Sequence, residues 1–206
     1  MKIIDIVTYL MRIPNTEGTS TRRNWIFVEV RTDEGISGIG EATTEWSERA
    51  VVAQIESEIK PRLLGMDPTD VERIWQLGYR DFWWRQGIVH TSAISGIDQA
   101  LWDIAGKVAG QPVFKLLGGK VREKVRTYAR LCDDPAVIKQ AAHNALDCGF
   151  DAIKSGRETI CEPYSDQRQV ELEVELFHEL REVVGPDVDL MIDAGSMFSP
   201  PVAHRL

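Results

Sequence analysis

The sequence predicts an α+β domain over residues 1–124, followed by the opening βα units of a parallel α/β domain over 125–206. Three observations carry this. The first forty residues alternate apolar and polar side chains as antiparallel strands do. The next eighty carry apolar stripes at helical spacing. From about residue 124 the pattern becomes strand, helix, strand, helix, strand, the rhythm of parallel βα units with right-handed crossovers.

In the first region, Ile4, Ile6, Thr8 and Leu10 alternate with Asp5, Val7 and Tyr9, and NWIFVEVR (24–31) is rich in β-branched and aromatic residues. Between them PNTEGTSTRRN (14–24) reads as a polar, mobile loop. TDEG (32–35) is a turn, and ISGIGEA (36–42) a third strand whose glycines let another backbone approach closely. Ser47 is positioned to cap a helix with a Val51, Val52, Ile55, Ile59 stripe, ended by Pro61. In DPTDVERIWQ (67–76), Asp67 reads as the cap and Pro68 as the first helical residue, with Val71, Ile74 and Trp75 facing inward. The longest helix is expected over 91–110, its buried stripe being Ile94, Ile97, Leu101, Ile104 and Val108, with Gly110 and Pro112 ending it. In the second region strands are expected at 125–131, 150–154 and 188–193. One helix runs from Asp134-Pro135 to Gly149, and a second spans 166–184.

The bulk properties exclude several classes. The net charge of −8 and the lack of a basic cluster argue against a nucleic-acid surface. No apolar stretch reaches the ~18 residues that span a bilayer. Asp5 interrupts the apolar N-terminus, which lacks a signal-peptide cleavage site. Cys132, Cys148 and Cys161 are an odd set without CxxC spacing, read as reduced thiols of a cytoplasmic protein. The four scattered histidines (His90, His143, His178, His204) read as structural or exposed.

In parallel sheets and barrels, functional groups gather at the C-terminal ends of strands. The three ends here offer Arg130 and Cys132, then Lys154, then Asp193 in DLMIDAG. A lysine and an aspartate at adjacent strand ends suit acid–base or metal work; the same residues also occur there as ordinary solvated side chains.

ISGIGEA, LLGMDPTDVERIW, AISGIDQALWDIAGKVAGQPVFKLLGG and DVDLMIDAG, in this order, resemble the mandelate racemase/muconate lactonizing enzyme branch of the enolase superfamily. The most specific stretch is 93–119. The resemblance implies an α+β capping domain on a (β/α) TIM-type barrel, incomplete in this chain. It implies Mg²⁺ as cofactor, with Asp193 as a metal ligand at the third barrel strand, and Lys154 beside the substrate carboxylate. Arg22, Arg23 and Asn24 of the cap loop, with Trp46 as a second wall, are the implied contacts to a sugar-acid substrate. The implied chemistry is proton abstraction next to a carboxylate, most simply leading to dehydration. An open three-stranded parallel sheet leaves an unpaired edge and a bare apolar face, so a homo-oligomer or a complementing polypeptide is expected.

The chain departs from the family pattern in three places. Many members carry Lys-x-Lys at the second strand, the second lysine acting as base; here the run is Lys154-Ser155-Gly156. Lys154 is therefore expected to steady charge rather than take the proton, and Tyr164 in the next loop is a candidate proton-transfer residue. Some dehydratases place a histidine two residues after the metal aspartate, where this chain has Gly195. Finally, 125–206 accommodates three barrel strands where a full barrel needs ~250 residues. A racemase or epimerase, and a non-catalytic fragment or subunit, are the alternative readings.

Overall fold

A computed structural model describes residues 1–12, 24–85, 87–131, 134, 136–156, 163, 165–195 and 198–206. Arg22, Arg23, Cys132, Pro135, Cys161, Tyr164 and all of the 14–24 loop except Asn24 lie outside the described residues. The chain divides into two compact units, Met1–Val121 and Arg122–Leu206.

In the first unit β1 (Ile3–Arg12), β2 (Asn24–Thr32) and β3 (Ser37–Glu41) form an antiparallel sheet in the order β1-β2-β3. β2 alternates cleanly and buries Ile26, Val28 and Val30. The expected alternation of β1 is broken near its start. The pairing register shifts between Ile3 and Asp5, so Ile3 and Ile6 are buried while Ile4 is exposed. A bulge inserts one residue and turns the earlier side chains over.

Helical structure then runs through α1 (Glu48–Ala53), a π-helical turn (Gln54–Ile59) and α2 (Lys60–Leu63). The expected stop at Pro61 is wrong, because the helix continues to Leu63. In the widened turn the Lys60 N–H donates to Ile55 O, five residues back. That spacing accommodates a ring which lacks a donor and would crowd an ordinary α-turn. The next helix, α3 (Val71–Arg80), begins later than expected. Asp67 Oδ1 instead accepts from the Thr69 N–H (2.9 Å) and hydroxyl (2.7 Å), closing a turn ahead of the helix.

The longest element, α4 (Ile88–Ala109), buries Ile94, Ile97, Leu101 and Ile104 against the sheet, whereas Val108 is half exposed because the stripe outruns the sheet. Gly110 ends it in the left-handed region (φ 62°). α4 also protects the sheet edge. Asp103 Oδ2 accepts from the Ile39 N–H (2.9 Å), Gln99 Oε1 from the Glu41 N–H (3.1 Å), and Lys107 Nζ donates to Ser37 O (2.7 Å). An unpaired strand edge is thereby satisfied within the unit. A short helix, α5 (Val113–Leu116), follows.

In the second unit β4 (Ala129–Arg130), α6 (Ile138–Asp147), β5 (Ala152–Ser155), α7 (Asp166–Val184), β6 (Asp189–Ile192) and α8 (Pro200–Ala203) follow in turn. The strands are parallel, in the order β4-β5-β6. β4 is shorter than the 125–131 expected, pairing with β5 only at Ala129↔Ile153 and Arg130↔Lys154. Ser165 Oγ caps α7 by accepting from the Arg168 N–H (3.3 Å). Ile138 and Ala142 of α6 pack with Leu176 and Leu180 of α7 and Ile153 of β5 in one core. At the opposite end of the strands Arg126 forks between Asp151 (3.0 Å) and Asp189 (2.7 Å), clasping the chain just before β5 to the first residue of β6. No helix among the described residues is long and apolar enough to cross a membrane.

Candidate active site

β5 decides which side chains can meet. Ile153 lies in the core formed with α6 and α7, so the alternation of a strand places Lys154 on the other face. The register carries that face sideways, with Arg130 opposite Lys154 on β4 and Met191 opposite it on β6. Two residues beyond Met191 stands Asp193, and two before Arg130 stands Tyr128. One sheet face therefore gathers Tyr128, Lys154 and Asp193, near the C-terminal ends of the strands for the latter two.

Their side chains are in contact. Lys154 Nζ lies 3.0 Å from Asp193 Oδ2 and 4.9 Å from the centre of the Tyr128 ring. Hydrogen bonding to Tyr128, then to Asp193, pushes the Lys154 ammonium above its ordinary pKa. Lys154 in turn holds the Asp193 carboxyl below its ordinary value, and the backbone N–H of Gly195 donates to Asp193 Oδ1 (3.2 Å) to the same effect. The Asp193 backbone is fixed as well, its N–H donating to Ser155 O (2.7 Å). Tyr128 is not anticipated from the sequence; it directly precedes β4, and its contact with Lys154 is a tertiary one that no local pattern announces.

Gly156 follows β5 directly, and a Cβ there would lie 2.2 Å from the Asp193 carbonyl oxygen. The position to which the resemblance assigns a second lysine is closed here by backbone.

Of the other predicted site residues, Asn24 and Trp46 belong to the first unit. Asn24 Nδ2 donates to Glu48 Oε1 (3.3 Å), tying the start of β2 to the segment that follows Trp46. Trp46 is 87% exposed and has φ +70°, a left-handed conformation uncommon for a bulky residue. His90, read as structural or exposed, is buried and engaged at both ring nitrogens, with Gly78 O (3.0 Å) and Gln54 Nε2 (3.2 Å).

The donor set does not by itself make a magnesium site. Among the described residues no three His, Cys, Asp or Glu side chains gather as a metal cluster. Asp193 offers one carboxylate, already engaged by Lys154 and Gly195. Mg²⁺ asks for near-octahedral oxygen ligation. What the arrangement can do unaided is hold a fixed positive charge at a strand end, with one carboxylate beside it.

The profile of the mandelate racemase/muconate lactonizing enzyme N-terminal domain matches residues 4–118. The D-galactonate dehydratase of Cronobacter sakazakii (strain ATCC BAA-894) is 36% identical over 207 residues, covering 100% of this chain and 51% of that protein. The crystal structure of an enolase from Pantoea ananatis with bound D-gluconate and Mg is 28% identical with a TM-score of 0.81, over 98% of this chain and 55% of that one. A member of the enolase superfamily from Salmonella Typhimurium is 30% identical with a TM-score of 0.83, over 100% and 57%. The chain thus spans about half the length of the curated relatives it matches. The antiparallel unit is the capping domain, the parallel unit opens a (β/α) barrel, and the chain belongs to the mandelate racemase/muconate lactonizing enzyme family of the enolase superfamily.

Proposed function

We propose that this chain supplies the cap and the first strand-end residues of a sugar-acid dehydratase, a hydro-lyase that removes the proton next to a carboxylate and expels a hydroxyl from the neighbouring carbon. The carrying observation is the Lys154–Asp193 pair at the ends of adjacent parallel strands, in a chain similar to D-galactonate dehydratases. Proton removal at that carbon moves charge onto the carboxylate. An ammonium already in place stabilises the developing charge without reorganising at the moment of reaction. Lys154 takes that role, and Tyr128 and Asp193 orient it. Asp193 is the carboxylate that this chain contributes toward a metal; Mg is bound in the Pantoea relative, and further donors are needed beyond those described. Tyr164 is the proposed proton-transfer residue, and Arg22, Arg23, Asn24 and Trp46 the proposed contacts to the sugar acid.

A racemase would need a base on each face of the carbon. Gly156, closed against Asp193, disfavours it. That Asp193 is the one carboxylate beside Lys154 among the described residues favours a second reading in which these residues do not turn over substrate without further chain.

The test uses a full-length barrel carrying this segment, assayed for dehydration of D-galactonate and D-gluconate. Lys154→Arg keeps part of the activity, and Lys154→Met loses on the order of 10²–10³, the effect of removing one transition-state donor. Exchange of the α-proton with solvent deuterium should survive Lys154→Met. Its abolition would make Lys154 the base and defeat the assignment.

A further inference from the structure

Two cations stand side by side at the ends of neighbouring strands in the second unit. Ala129 and Leu131 pack into the core that holds Ile153, so the alternation of β4 turns Arg130 to the opposite face, where Lys154 lies. Arg130 is exposed there. The register pairs it with Lys154, and the Leu131 N–H donates to Lys154 O (2.9 Å), fixing the end of β4 against β5. Paired strands run about 5 Å apart, and like charges placed directly opposite each other destabilise a sheet. Asp193 does not answer the two equally. It stands on the β6 side of Lys154, 3.0 Å from Nζ. Its carboxyl is lowered first by the hydrogen bond from Lys154 and more weakly by the charge of Arg130.

We propose that Arg130 is a specificity residue that holds a second carboxylate, at the end of the substrate remote from the one steadied by Lys154. The substrate is then a sugar diacid rather than a monoacid, an assignment that rests on the dehydratase reading above. Two adjacent cations are complemented by an anion with two charges. With a diacid bound, each cation meets its own carboxylate and their mutual repulsion is offset. The two residue types divide the work. An ammonium is a compact point charge, suited to the carboxylate on which charge develops. A guanidinium presents a planar fork that matches a carboxylate through two parallel hydrogen bonds. The far end of a monoacid is a neutral hydroxymethyl group, which leaves the guanidinium charge unanswered. Lysine and arginine side chains that start about 5 Å apart have the reach to diverge onto the two ends of one extended sugar chain.

The test uses the full-length barrel carrying this segment and compares D-galactonate with galactarate, the diacid of the same carbinol configuration. Its kcat/KM is expected to be at least about ten times higher for galactarate. Arg130→Met lowers the galactarate value on the order of 10²-fold, the cost of truncating one member of a desolvated charge pair, and collapses the ratio between the two acids. Arg130→Lys, which keeps the charge and loses the fork, recovers part of it. A parent protein that prefers D-galactonate, or an Arg130→Met variant that weakens both acids equally, overturns the proposal while the dehydratase reading stands. Calorimetric binding covers the opposite case. If neither acid is dehydrated, that reading fails, and galactarate binding that Arg130→Met selectively weakens upholds the diacid assignment. Equal binding of both acids, or of neither, overturns it.

Discussion

Gly156 lies so close to Asp193 that a Cβ on the glycine would be 2.2 Å from the aspartate carbonyl oxygen, 2.9 Å from its carbonyl carbon and 3.1 Å from its nitrogen. All three are backbone atoms, so no side-chain rotation relieves the clash. Gly156→Ala is therefore expected to destabilise the second unit by about 1–3 kcal/mol, the usual range for overpacking. Gly156→Lys, which recreates the Lys-x-Lys spacing of related chains, should be no more stable and should not add a base. Urea unfolding decides the first point: a midpoint equal to that of the parent chain would show that β6 moves aside freely.

The outer face of the first sheet holds a charge cluster whose behaviour with pH can be stated. Arg31 donates to Glu29 Oε2 (2.8 Å), and the Tyr9 hydroxyl donates to the same oxygen (2.7 Å). These bonds, Arg31 first, hold the Glu29 carboxyl below its ordinary value. A carboxylate whose folded pKa is depressed stabilises the fold fully above its unfolded pKa and loses that contribution as pH falls through the folded one. Stability of the parent chain should therefore fall more steeply below pH ~4.5 than that of Glu29→Gln. The difference should be within about 1 kcal/mol, because the partners are solvent-exposed. Parallel thermal melts between pH 7 and pH 3 would contradict this if the two chains lost stability equally.

The parts of this structure legible in the sequence are those written in local periodicity. The α4 stripe through Ile94, Ile97, Leu101 and Ile104, and the 166–184 helix with its bounding glycine, are set by neighbours within a few turns. Lys154 and Asp193 were readable as strand-end residues because apolar runs lead into both. What escaped depends on distant partners. The Ile3/Asp5 bulge follows from how β1 registers on β2. Arg126 meets carboxylates 25 and 63 residues away, and no local pattern announces that fork. Tyr128 was hidden because 125–131 read as one uniform strand, whereas only Ala129 and Arg130 pair with β5.

Metal affinity separates the contribution of this chain from that of a whole site. Asp193 is a single carboxylate with Lys154 at 3.0 Å, and an ammonium at that distance competes electrostatically with a cation. Calorimetric titration with Mg²⁺ is expected to give a dissociation constant of about 1 mM or weaker, and no better after Asp193→Asn. Tight stoichiometric binding that disappears in Asp193→Asn would mean that this chain holds the remaining ligands itself.

The last prediction concerns how α4 sits on β3. A Cβ at Gly40 would lie 1.9 Å from Gly96 O, and one at Gly38 2.0 Å from Ala100 O, so the strand rides directly on the helix backbone. That approach brings the Glu41 N–H within 3.1 Å of Gln99 and the Ile39 N–H within 2.9 Å of Asp103. A methyl group at position 40 must push the helix away and lengthen these bonds together. Gly40→Ala should therefore cost about 3 kcal/mol or more, the upper part of the overpacking range with lost hydrogen bonds added. Gly35 provides the contrast, because its φ is +77° but nothing lies within 4 Å of a Cβ there. Gly35→Ala pays only for the left-handed backbone, about 1–2 kcal/mol. Urea titrations of the two variants should rank them in that order. If Gly35→Ala proved the more damaging, backbone conformation rather than the closeness of β3 to α4 would govern this unit.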